Sequence, residues 1–196
     1  MYKKQMTFQR IVCFIALAAC AVVFIYSLGL LTDLYDSLYP TMMDPEDISQ
    51  TWVDGSQIYY EMQDFNSTLT KVGIALIVAS LLLFITSTHT RRKYYIGNYI
   101  ASGLNVAVYI GAAVWALPII SNYKTQYLTT VDFDALKSFS EMWKSRYTDS
   151  TFWFDASIFV FALLLTAAVL ITVNLIWKII MMKEEKRLIA AGGDPV

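Results

Sequence analysis

Long uninterrupted apolar runs alternate with polar stretches along this chain, and the runs are too continuous for the one-sided stripe of a surface helix. Crossing about 30 Å of hydrocarbon at 1.5 Å per residue takes about 20 apolar residues. Four segments meet or approach that length: Ile11 to Leu31, Val72 to Thr88, Ile96 to Ile120, and Ser157 to about Ile180. Backbone amides cannot stay unpaired in lipid, so each run predicts a helix. The expected fold class is an all-α integral membrane protein, with four transmembrane helices bundled into one domain over residues 1–196.

Two polar connections, residues 32–71 and 121–156, are long enough to carry structure of their own. In the first, Asp44-Pro45-Glu46-Asp47 reads as a helix start, and Ile48, Trp52, Tyr59, Met62, Phe65 and Leu69 follow at roughly helical spacing. Gly55 is placed to interrupt this helix, and Asn66-Ser67-Thr68 to cap a new one before the second span. In the second, Phe133, Leu136, Phe139, Trp143 and Tyr147 repeat the spacing, and Asp149-Ser150-Thr151 offers another cap. The pattern predicts a small α-helical outer cap formed by the two loops.

Composition changes the picture from long helices to membrane helices. Of the 196 residues, 57% are hydrophobic and only 16% charged, where a soluble domain carries about a quarter. The mean hydropathy is +0.48. A net charge of −1 excludes a global basic footprint for nucleic acid, but the charges are unevenly placed. The N-terminus, the loop between spans two and three, and the C-terminus hold ten of the fifteen basic residues against three acids, a net +7. The other side nets −8. By the positive-inside rule both termini are cytoplasmic, in a multi-pass protein of the cell membrane. Tyr94, Tyr95, Tyr99 and Trp177 then fall near the inner boundary, and Trp115, Phe152, Trp153 and Phe154 near the outer one.

Chemistry is sparse. No Asp, Glu, Lys, Arg or His falls in the inner part of any span, where proton-coupled pumps place their ionisable groups. The sole histidine, His89, lies at a boundary, which disfavours haem ligation. Cys13 and Cys20 are seven apart on one helix and cannot form a relaxed disulfide. Leu17-Ala18-Ala19-Cys20 has the shape of a lipoprotein signal, but the apolar run continues past it, which favours an uncut first span. Neither a metal-ligand cluster nor a nucleophile–base pair stands out, so no enzyme and no cofactor is expected.

Three groups of residues remain as candidates for contact. Gly103, Ala107 and Gly111 form a small-residue stripe suited to close helix packing, within the bundle or against another chain. Asn105 and Asn174 lie at matching depths, about 10–14 Å from the inner ends of their spans, and are expected to hydrogen-bond to each other. On the outside, Trp52, Tyr59, Tyr60, Trp143 and Tyr147 are candidates for touching a partner or ligand, although helical spacing favours packing of the cap itself. Arg91, Arg92 and Lys93 form a basic inner loop facing lipid headgroups. A weak internal match, Asp54…Glu61-Met62 against Asp134…Glu141-Met142, hints at duplication.

Together these features predict a non-enzymatic accessory or scaffold subunit of a membrane complex, such as a transporter assembly. Its partners would be other integral membrane subunits or copies of itself, within the lipid bilayer and without nucleic acid. Two alternatives fit the same features: a homo-oligomeric channel whose acidic outer side attracts cations, and a ligand-sensing membrane subunit.

Overall fold

In a computed structural model, which describes residues 2–44, 47, 50–87 and 95–190, the chain is helical throughout its regular structure. Six α-helices follow in order: α1 (Tyr2–Gly29), α2 (Thr32–Leu38), α3 (Ile58–Ser87), α4 (Tyr95–Thr130), α5 (Phe133–Trp143) and α6 (Phe152–Ala190). Among the described residues, α1, α3, α4 and α6 are the helices long and apolar enough to cross a membrane. All four begin before the apolar segments that predict them, and α4 and α6 also run past the far end.

Each long helix buries one seam at spacings of three and four. In α3 it runs Ile58, Met62, Phe65, Leu69, Gly73, Leu76, Ser80, Leu83, Ser87; in α6 it runs Phe154, Ser157, Phe161, Leu164, Ala168, Ile171, Asn174, Lys178. This 3.6-residue periodicity is hard to see in the sequence because the opposite faces are apolar too. Ile158, Phe159 and Val169 on α6 are all at least 60% exposed.

The chain gathers into two compact units, and each long helix supplies a stretch to both. The first comprises Met1–Ala21, Ala75–Gly111 and Leu163–Val196; the second comprises Val22–Ile74 and Ala112–Ala162. The core of the first holds Ala16, Ala19, Cys20, Leu76, Tyr109, Leu164 and Ala167. The core of the second is built on Val23, Leu30, Leu38, Met62, Leu69, Ile120, Tyr127, Leu136 and Phe161.

Close helix approach in the second unit uses glycines that small-residue spacing does not single out. Gly73 sits against Phe24, where an added Cβ would lie 3.0 Å from the Phe24 Cα. Gly29 lies beneath the Trp153 ring, in space that a Cβ would overlap. The Tyr26 hydroxyl donates to the Trp153 carbonyl at 3.0 Å and fixes that tryptophan.

The first connection departs from expectation. No helix starts at Asp44; the backbone after α2 passes through a 3-10 turn (Tyr39–Thr41) and an antiparallel bridge between Met42 and Thr51. Pro45, Glu46 and Ile48 lie outside the described residues. Trp52 therefore precedes α3, which begins only at Ile58. Gly55 does interrupt the chain, with φ of +81° and its Cα pressed against the Thr130 carbonyl. Asn66-Ser67-Thr68 caps nothing, since α3 runs straight through it. Thr68 and Thr70 donate back to the carbonyls of Asp64 and Asn66, which satisfies the hydroxyls without breaking the helix.

The second connection follows expectation more closely. Asp132 caps α5 by accepting from the Ala135 amide at 2.9 Å. Lys144, in the left-handed conformation at φ 53°, ends that helix before Tyr147. Ser150 accepts from the Phe152 amide at the start of α6. The hinted duplication does not survive in the environments of its residues: Met62 is fully buried, whereas Met142 is 75% exposed.

Candidate functional site

In the second unit, the aromatic residues proposed for contact divide into packed and exposed sets. Tyr59 is buried in a cluster with Tyr35, Tyr39 and Tyr60, at ring separations of 5.2–6.0 Å. Tyr60 is half-buried on its edge. Tyr147 is also half-buried; its hydroxyl donates to Asp149, and burial with that neighbouring carboxylate pushes it above the usual phenol range. These three serve packing first. Trp52 and Trp143, by contrast, are 63% and 67% exposed. Trp143 stands at the end of α5 beside Met142, with the Phe139 ring tilted against it at 6.2 Å. The loop that follows is tied down by Arg146, which bridges Asp33 and Asp36 on α2.

In the first unit, α4 presents two different faces. Ser102, Asn105 and Tyr109 are buried, whereas Gly103, Ala107 and Gly111 are exposed. A Cβ added at Gly103 or Gly111 would meet nothing within 4 Å. Among the described residues, the two glycines of the stripe thus face open space, and Ala107 between them is exposed. Beside the stripe the side chains of Ile100, Leu104 and Ile110 are exposed as well.

Asn105 and Asn174 do not pair with each other. Asn105 Nδ2 donates to the Ala79 carbonyl of α3 at 3.1 Å and to Ala101 within its own helix. Asn174 Oδ1 accepts from Gln5 Nε2 of α1 at 3.1 Å. Matching depth was not enough, because the seams of α4 and α6 aim these two residues at different neighbouring helices.

Asn174 belongs to a polar cluster that the sequence does not announce. Gln5 also donates to Gln9 Oε1 at 3.0 Å, and Gln9 Nε2 donates to the Ser87 carbonyl at the end of α3 at 3.1 Å. Lys178, which reads from sequence as a solvated charge of the C-terminal tail, is only 6% exposed. Its Nζ donates to Asn98 Oδ1 at 2.6 Å and lies 5.8 Å from the centre of the Tyr99 ring. Asn98 Nδ2 in turn donates to Thr86 Oγ1. Side chains from all four long helices meet here, and each contact named joins two helices except that between Gln5 and Gln9. The available signal was the spacing: Gln5, Gln9, Cys13, Ala16 and Cys20 continue one seam into the N-terminus, and Asn174 and Lys178 are one turn apart.

Cys13 and Cys20 are both buried free thiols. Among the described residues, no group of three His, Cys, Asp or Glu side chains is placed to hold a metal. Arg91, Arg92 and Lys93 lie outside the described residues, as does His89. A cleft of about 230 Å³ opens in the second unit between Gly55, Gln57, Ile58, Glu61, Gln126 and Thr130.

No known protein family matches this chain, and comparison with curated proteins and with solved structures likewise returns no match.

Proposed function

We propose that this chain is a non-enzymatic accessory or scaffold subunit of a membrane complex, such as a transporter assembly. In this reading the four apolar helices span the cell membrane, both termini are cytoplasmic, and the loops of the second unit form an outer cap. The observation that carries the reading is the exposed Gly103, Ala107 and Gly111 strip on α4. In lipid, helices gain nothing hydrophobically by associating, so close backbone approach and dispersion drive them together. A strip of small residues turned away from its own chain suits another helix better than it suits acyl chains.

Two further features support a binding role. Gln9, Asn98, Asn105, Asn174 and Lys178 on the long helices make hydrogen bonds to neighbouring helices of the same chain. Trp52, Met142 and Trp143 leave a large apolar area uncovered on the second unit, of the kind that rigid aromatic anchors provide at interfaces.

The test is native mass spectrometry of the chain tagged at its C-terminus, expressed at native level and gently solubilised. Distinct subunits at a fixed ratio are the expected result. A monomer without partners, or a ring of this chain alone, would overturn the proposal; the ring would favour a homo-oligomeric channel.

A further inference from the structure

The cleft of the second unit lies where the turn before α3 and the first turn of that helix meet the end of α4. Gly55, Gln57, Ile58, Glu61, Gln126 and Thr130 line about 230 Å³ of common space. Its walls are tied together. The Tyr123 hydroxyl donates to the Glu61 carbonyl at 3.1 Å, and the Asp132 amide donates to the Asp54 carbonyl at 3.1 Å. With no side chain, Gly55 lets its turn close directly onto the Thr130 carbonyl. The cleft is therefore preformed, which lowers the cost of binding.

Its lining is rich in hydrogen-bond acceptors. Glu61 is exposed, and its carboxylate is in no ion pair among the described residues. The Thr130 hydroxyl gives its proton to the Gln126 carbonyl at 2.8 Å, which leaves its own lone pairs for an incoming donor. Gln57 and Gln126 add two side-chain amides. Gln126 Oε1 meets no protein donor, so that amide can turn toward the cleft without breaking a hydrogen bond. Ile58 supplies an apolar part of the wall. None of the six lining residues is basic or aromatic.

We propose that this cleft binds a small organic ammonium ion. Its N–H groups donate to the Glu61 carboxylate, to Thr130 Oγ1 and to a glutamine side-chain carbonyl, and its carbon stem lies against Ile58. An ammonium has donors and no acceptor, the complement of this lining. An anion would meet Glu61 with no basic group to offset it, and a saccharide would find no aromatic ring to stack on. Calcium takes about six to eight oxygens, several from carboxylates, whereas Glu61 is the one carboxylate lining the cleft. At about 30 Å³ per water-sized group, the space suits a molecule of several non-hydrogen atoms. The connections 32–71 and 121–156, which supply the lining, net −8, and that field draws cations toward the cleft. The site stands apart from the α4 strip and does not rest on it. A free amine and the headgroup of phosphatidylethanolamine both offer this chemistry.

The experiment is saturation-transfer NMR of the full chain in deuterated detergent, titrated with ethanolammonium at fixed ionic strength. Ethylene glycol, glycolate and tetramethylammonium serve as matched probes lacking the charge, reversing it, and lacking N–H donors. Saturable ethanolammonium binding, about ten-fold tighter than any of the three, is the expected result. Glu61→Gln should weaken it about ten-fold. Glu141→Gln removes the same charge from an exposed position on α5 outside the cleft, and should change it less than about two-fold. An unchanged thermal midpoint shows that each variant is folded.

Absence of saturable binding would overturn the proposal, as would equal binding of ethylene glycol or tetramethylammonium. Equal losses in the two variants, or displacement of ethanolammonium by micromolar calcium, would also overturn it. Titration in phosphatidylcholine nanodiscs with and without phosphatidylethanolamine separates the two sources. An unchanged affinity supports a free amine, and weakening by phosphatidylethanolamine supports the headgroup as occupant.

Discussion

At the scale of single residues, conformation and burial make the sharpest claims. Gly55 is the position where backbone geometry leaves least choice, since its φ of +81° and its approach to Thr130 both exclude a side chain. Gly55→Ala should destabilise the protein by about 1–3 kcal/mol, read as a lower thermal midpoint in detergent. Asn98 presents a different case, because its Oδ1 accepts from a buried ammonium. Asn98→Leu should cost about 1.5–3 kcal/mol, the value of a hydrogen bond to a charged group. Lys178→Met, which removes the charge and keeps the stem, should cost less. The reverse ranking in thermal denaturation would contradict this account of the cluster. The burial of Lys178 was not legible in the sequence, where a lysine at the end of an apolar run reads as snorkelling outward. Only the helix continuing to Ala190, and the seam it carries, turns that position inward.

At the scale of elements, the long helices were legible because length and apolarity suffice to predict them in lipid. Their ends were not, since buried positions such as Met62, Phe65 and Tyr127 carry the helices into polar sequence past the apolar run. The start signal at Asp44 failed because local capping chemistry is a weak prior, and here the Met42–Thr51 bridge holds the chain in another form. Helix α5 was legible in the spacing of Phe133, Leu136, Phe139 and Trp143, whereas its Asp132 cap and its stop before Tyr147 were not. Its C-terminus carries local strain, with Lys144 in the left-handed region. Lys144→Gly should stabilise the fold by up to about 1 kcal/mol, checked by the same thermal assay. Asp132→Ala, which removes the N-cap, should destabilise by about 1 kcal/mol.

At the scale of the whole molecule, the division of labour between faces carries the functional reading. Small-residue spacing marks a candidate packing surface on α4, and spacing alone does not say which chain would pack there. The structure turns Gly103, Ala107 and Gly111 away from the chain, while Gly29 and Gly73 serve the internal contacts. The aromatic candidates split in the same way: Tyr59 packs inside, whereas Trp52 and Trp143 remain uncovered. The central claim is that the outward strip of α4 meets another protein helix. Its most direct test is photo-crosslinking in membranes at native expression, with benzoylphenylalanine replacing Ala107 and, as a control, Val169 on the exposed face of α6. The account predicts a discrete, heavier protein adduct from position 107 and only lipid adducts from position 169. Lipid adducts alone from position 107 would contradict it.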